Sequence, residues 1–223
     1  MQHNKNVLNC KKFNEGINVT PNQQLFINKL NNDSTSLIVV SGPAGTGKTM
    51  FACNKAIDYL VKTNKKIIIT RPLITVDEEL GFLPGDIDKK MQPWTTPLFD
   101  YFLEFITKDK LNTYIKNNKL EICPLAFMRG RTFNNAFIIA DEMQNSTPNQ
   151  MKMLVTRLGK NSRLVITGDT KQTDLNINNG LTDIISKLEL VDDFEISLIR
   201  LINSDISRSS LVNKLISLYE IKP

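Results

Sequence analysis

Apolar residues along this chain gather in short, unbroken, branched runs: LIVV at 37–40, KIIIT at 66–70, AFIIAD at 136–141 and RLVIT at 163–167. A strand with one wet face would alternate apolar and polar residues, so runs of this kind predict strands covered on both faces. Helical spacing fills the intervals, over 48–62, over 97–117 with a break, and over 148–158. Strand alternating with helix predicts an α/β fold, a doubly wound and mainly parallel sheet with helices on both faces. Ahead of the first strand, TPNQQLFINKL offers Thr20 as a cap, Pro21 at the first helical position, and Leu25, Phe26 and Leu30 on one face. The turn NNDSTS follows it. LEICPLAFMRG, 120–130, reads as one more extended piece, and 180–188 and 208–220 as closing helices. Residues 1–19 are Asn/Lys-rich and aperiodic, which predicts a loose lead-in to a single domain over 20–223.

Length and composition narrow this picture. A chain of 223 residues suits one sizeable α/β domain, and 41% hydrophobic with 23% charged residues is ordinary for a folded protein. No apolar run approaches a bilayer's thickness, and MQHNKNVLNC lacks a secretory apolar stretch, so no membrane association and an intracellular, cytoplasmic location are expected. Cys10, Cys53 and Cys123 are odd in number and lack metal-ligand spacing. The single histidine, His3, lies in the polar lead-in, which leaves carboxylates, amines and a metal as the means of catalysis. A net charge of +5 suits a nucleic-acid partner and, equally, a merely solvated surface.

The chemistry starts at 42–49, GPAGTGKT, which fits the phosphate-loop spacing with a strand before it and a helix after it. Triphosphate demands many backbone N–H groups at close range, which side chains at Gly42, Gly45 and Gly47 would obstruct, and the loop of Gly42, Pro43, Ala44, Gly45, Thr46 and Gly47 is expected to bind it. Lys48 is expected to reach the β- and γ-phosphates of ATP, Thr49 to hold Mg²⁺, and the positive end of the next helix to face the anion. The strand at 136–141 ends in Asp141-Glu142, where Asp141 is suited to the Mg²⁺ shell and Glu142 to orienting or deprotonating a water. Taken alone, such a pair could equally complement a helix dipole. After the next strand, Gly168-Asp169 and Gln172 could sense the γ-phosphate or simply form a turn.

The strings TPNQ, GPAGTGKT, TRP, ELGFLPGD, LAFMRGRTFNNAFIIADEMQN, QMKML and ITGDTKQTDL together resemble the PhoH-like family of P-loop ATPases, related to the core of superfamily-one helicases. The likeness covers about 20–220. It implies that the 163–167 strand lies between the phosphate-loop strand and the Asp141 strand, with Gln172 beside the nucleotide and Gln23 at an adenine-contacting position. It also offers Arg129, Arg131 and Arg208 as candidates for an arginine that reaches the γ-phosphate, a role worth roughly 10³ to 10⁵ in rate. Around Arg208, and in a shortened loop after Asp174, the sequence departs from the family's pattern. Arg71 and Trp94 are candidates for contact with nucleic acid, through a phosphate and a base face respectively, and burial is the rival reading for Trp94.

The expectation is a Mg-dependent ATPase acting on RNA or single-stranded DNA. A single core supports strand movement poorly, so a homo-oligomer that lends an arginine to its neighbour's ATP is expected. A small-molecule kinase would need an acceptor lid, for which 78–118 leaves room, but Glu142 favours water as acceptor. A nucleotide switch binding a protein partner is the third reading, opposed by the intact Lys48, Thr49, Asp141 and Glu142.

Overall fold

The computed structural model describes residues 18–72, 87–173 and 179–207, with 87–94 as backbone alone. His3, Cys10, Asp174, Arg208, the expected 208–220 helix and the side chain of Trp94 lie outside the described residues.

Among the described residues, six parallel strands form one sheet. They are β1 (Leu37–Ser41), β2 (Lys66–Arg71), β3 (Leu120–Pro124), β4 (Ala136–Ala140), β5 (Arg163–Gly168) and β6 (Ile196–Arg200), in the order β3-β2-β4-β5-β1-β6. The strand after the acidic pair, β5, therefore lies between β1 and β4, as the resemblance implies. The helices are α1 (Pro21–Asn31), α2 (Lys48–Lys62), α3 (Ile87–Leu103), α4 (Lys108–Lys116), α5 (Pro148–Val155) and α6 (Gly180–Leu188).

Both faces of the sheet are covered, which is why the strands read as continuous apolar runs. Ile38, Val40, Ile67, Ile69, Phe137, Ile139 and Val165 pack with α1, α2, α3 and α4 on one face. Their neighbours in the strands, Val39, Ile68, Ile138, Ala140, Leu164 and Ile166, pack with α5 and α6 on the other. Side chains alternate with period two while both sets stay dry.

Several boundaries differ from the sequence reading. The helix expected at 97 begins at Ile87 and runs through Pro93 and Pro97, residues that propensity assigns to a helix start. LEICPLAFMRG is extended only to Pro124, after which Leu125–Met128 wind into a 3₁₀ turn. Strand β6 was not foreseen: it is an edge strand in which only Ser197 and Ile199 are buried, so it carries no continuous apolar run. Among the described residues, no helix is long and apolar enough to cross a membrane.

Candidate active site

Because all six strands run the same way, their carboxyl ends bring the chemical residues to one edge of the sheet. Ser41 leads into the 42–47 loop, Ala140 into Asp141, Gly168 into Asp169, and Arg71 closes β2. This is where open α/β sheets hold ligands.

Helices α1, α4, α5 and α6 begin with side-chain caps from Thr20, Thr107, Thr147 and Asn179. Helix α2 instead begins at Gly47, with φ +84° and no side-chain cap, so its first N–H groups face outward for an anion. Gly42 has another reason to be glycine: a Cβ there would meet Leu201 O at 2.6 Å, beside the end of β6. Thr46 Oγ1 donates to Pro43 O at 2.8 Å and steadies the turn.

Lys48 folds back over this loop and its Nζ donates to Gly42 O at 2.6 Å and Pro43 O at 2.8 Å. Burial pushes its ammonium below the usual lysine range, while Asp169, Glu142 and Asp141 pull it back toward charge. The ammonium is thus held at the loop with its donors on carbonyls, which a phosphate would outbid as a charged acceptor.

Asp141 is buried, 3% exposed. Its Oδ1 accepts from Thr49 Oγ1 at 2.7 Å and from Thr167 Oγ1 at 2.5 Å, and its Oδ2 lies 3.3 Å from Arg71 Nη2. A carboxylate and a threonine hydroxyl touching at the mouth of a phosphate loop form the hard-oxygen donor set Mg²⁺ favours, with phosphates and water completing the shell. The Arg71 guanidinium fits the same logic, since a cation already sits against this carboxylate. Arg71 Nη2 also lies 3.2 Å from Glu142 Oε1, and its Nε is buried with no acceptor.

Glu142 sits in the left-handed region, φ 54° and ψ 39°, and its side chain is 40% exposed. Gln144 Nε2 donates to its Oε2 at 2.6 Å. Glu142, Gln144, Asn145, Lys171, Gln172 and Thr173 line a cavity of about 430 Å³. Gln172 is exposed there, so the structure brings it to the same cavity as Glu142.

The remaining expected residues fall elsewhere. Gln23 is buried, not exposed as an ordinary surface residue of α1 would be, and its amide is committed to the protein. Its Nε2 donates to Thr46 O at 3.2 Å and Asp205 O at 2.8 Å, and its Oε1 accepts from Thr20 N at 2.9 Å. It ties the phosphate loop to α1 and to the turn Asn203–Asp205. Arg129 is exposed just after β3, an outer strand separated from β1 by three others, roughly 20 Å at ordinary strand spacing. Arg131 is a structural cation: it pairs with Glu121 at 2.5 Å and stacks over Phe133 at 4.6 Å.

Three members of the site were not foreseen in these roles: Thr167, Gln144, and Arg71 as partner of the acids. Thr167 sits inside an apolar strand, where its hydroxyl reads as β-propensity. Gln144 two places after Glu142 was the available signal for the second.

A family profile described as "PhoH-like protein" matches residues 17–220. A PhoH-like protein of Synechocystis sp. is 43% identical over 182 residues, which cover 80% of this chain and 55% of the relative. A PhoH-like protein of Bacillus subtilis is 44% identical over 187 residues, 82% of this chain and 58% of the relative. The chain therefore spans little more than half the length of these two relatives. Among solved structures, the Pif1 helicase from Candida albicans aligns with a TM-score of 0.44 at 15% identity, covering 91% of this chain and 44% of that one.

Proposed function

The chain belongs to the PhoH-like protein family, and on that premise we propose that it binds Mg-ATP and hydrolyses it, coupled to RNA or single-stranded DNA in an oligomer. The observation that carries this reading is the contact of Thr49 with Asp141 at the phosphate loop, with Glu142 next in the chain. The loop N–H groups and Lys48 would hold the phosphates, and Lys48 would leave the Gly42 and Pro43 carbonyls for them. Thr49 and Asp141 would hold Mg²⁺, which supplies charge neutralisation on the phosphate oxygens. Glu142 would orient a water in the adjoining cavity and accept its proton, leaving Gln172 to register the γ-phosphate.

An arginine at the leaving phosphate is supplied by no described arginine of the same loop edge except Arg71, which is already engaged with the acids. Arg208 directly follows Ser207, whose N–H donates to Gly45 O at 3.0 Å, so it is the candidate from the same chain, and exposed Arg129 is the candidate from a neighbouring subunit. A second reading, transfer to a small hydroxyl acceptor, draws on the polar cavity beside Glu142.

Phosphate release with Mg-ATP, with and without single-stranded RNA, at several protein concentrations, tests the proposal. Lys48→Ala is expected to abolish turnover, and Glu142→Gln to bind Mg-ATP but hydrolyse it at least about a hundredfold more slowly. Unchanged turnover in Lys48→Ala would sink the site. RNA stimulation that rises with protein concentration supports the oligomer, whereas indifference to both removes nucleic acid and assembly from the reading. Phosphate appearing on an added hydroxyl compound favours the second reading.

A further inference from the structure

Glu142 adopts a backbone conformation that a glutamate takes only when its surroundings hold it there, φ 54° and ψ 39°. Its carbonyl accepts from Asn145 N at 3.1 Å, and its side chain is held separately. Gln144 is 3% exposed, and its side-chain amide spans two fixed groups: Nε2 donates to Glu142 Oε2 at 2.6 Å, and Oε1 accepts from Asp169 N at 3.1 Å. The amide can point only one way. A backbone N–H can only donate and a carboxylate only accepts, so the oxygen must face Asp169 and the NH₂ must face Glu142.

Asp169 directly follows β5, which is paired on both sides, so that N–H is an anchor and not a loop tip. The main chain of Gln144 is held as well, since its carbonyl accepts from Thr173 Oγ1 at 3.1 Å. Gly168 leaves the necessary room. A Cβ at that position would lie 2.5 Å from Gln144 Oε1 and 2.7 Å from Leu181 Cδ2.

We propose that Gln144 is the positioning residue of the hydrolytic site, aiming the Glu142 carboxylate from the end of β5, with Gly168 kept side-chain-free for its amide. The inference rests on the hydrolysis reading above and deepens it. It also gives the 171–173 segment a mechanical route to the water-orienting acid, because Thr173 and Gln172 share the cavity Glu142 faces.

The test uses Gln144→Met, which keeps length and volume but removes both hydrogen bonds, and Gly168→Ala, which crowds the same amide. Each is expected to lower kcat by about tenfold to a hundredfold, the cost of a carboxylate misplaced by around an ångström. In Gln144→Met, KM for Mg-ATP and the affinity for ADP should stay within about twofold, because the Gln144 side chain bonds neither the loop nor Thr49, whereas the Gly168 carbonyl accepts from Gly42 N at 3.1 Å and Gly168→Ala is read by kcat alone. Wild-type kcat in Gln144→Met would overturn the proposal. A crystal structure of Gln144→Met supplies a readout free of turnover: the Glu142 carboxylate should leave its place, and its retention there would overturn the role. Should the wild-type chain release no phosphate, the hydrolysis reading fails, and this structure still decides what Gln144 does.

Discussion

Thr49 Oγ1 donates to Asp141 Oδ1 at 2.7 Å across 92 residues of chain. The contact exists because β5 brings the end of β4 within reach of the loop after β1, and Thr167 of β5 donates to the same oxygen. Both hydroxyls fix the Asp141 carboxyl group in place, and a cation at this corner would take it with the Thr49 oxygen beside it. Asp141→Asn keeps the shape and removes the charge. The variant is expected to bind ATP without metal as the wild type does, and to lose the tightening Mg²⁺ confers, about tenfold to a hundredfold. Titration with a fluorescent ATP analogue, with Mg²⁺ and with chelator, measures both arms. An Mg²⁺ response equal to the wild type would remove Asp141 from the metal shell.

How much of this was readable in advance depends on what each residue's signal was. The strands β1, β2, β4 and β5 were legible because burial on two faces leaves a composition no other element shares. Strand β6 was not, because an edge strand buries only alternate residues and ISLIR mixes polar with apolar. Thr49 and Asp141 were each legible from their motifs, whereas their contact is a product of strand order. The place of Gln144 two residues after Glu142 was legible, whereas its role was not, because its other partner is a backbone N–H at the end of another strand. Arg129 and Arg131 could not be told apart by type or spacing. Glu121, ten positions upstream of Arg131, separates them.

Arg71 makes the acidic corner tolerable when no metal neutralises it. Its Nη2 is shared between Asp141 Oδ2 and Glu142 Oε1, both at long hydrogen-bonding range. Removing that charge leaves two adjacent carboxylates facing each other and makes the corner more attractive to a divalent ion. Arg71→Ala should therefore melt earlier than the wild type in chelator, recover more of its melting temperature on adding Mg²⁺, and reach half-saturation at several-fold lower Mg²⁺. Thermal melts across a Mg²⁺ series measure all three. A variant with the wild-type Mg²⁺ midpoint would mean that Arg71 does not compete for this corner.

The Glu121–Arg131 pair makes a pH-dependent contribution far from the phosphate loop. Hydrogen bonds from Arg131, joined by Lys66, hold the Glu121 carboxyl at about 2, below its ordinary 4.5, against an opposing desolvation. A depressed acid stabilises the folded state above its unfolded value and loses that contribution as pH falls through its folded value. Glu121→Gln is expected to cost on the order of 1 kcal/mol at pH 7, a figure discounted because the pair is open to solvent. The gap between wild type and variant should shrink as pH falls from 4.5 toward 2. Urea midpoints over that range measure it, and a gap independent of pH would mean that packing, not charge, is what Glu121 supplies.

Arg163 yields the largest stability effect expected here, and it lies at the opposite end of the sheet from the chemistry. It begins β5 and is 3% exposed. Its Nε donates to Thr35 O at 2.8 Å, Nη1 to Leu30 O at 2.9 Å and Tyr59 Oη at 2.7 Å, and Nη2 to Lys29 O and Asn32 O, both at 3.0 Å. Every guanidinium donor is used, on carbonyls at the carboxyl end of α1 and in the turn that follows it, and on the Tyr59 hydroxyl. A lysine brings the charge but only three donors and no planar fork, so Arg163→Lys would leave some of these buried carbonyls, Leu30 O and Thr35 O first, short of a donor. The expected loss is about 2–4 kcal/mol by urea unfolding. Affinity for Mg-ATP in the folded fraction should be unchanged, because Gln23, which ties α1 to the loop, sits at the helix's other end. Equal stability would show that water replaces the missing donors. A loss of affinity at full folding would mean that α1 transmits strain from its carboxyl end to the phosphate loop.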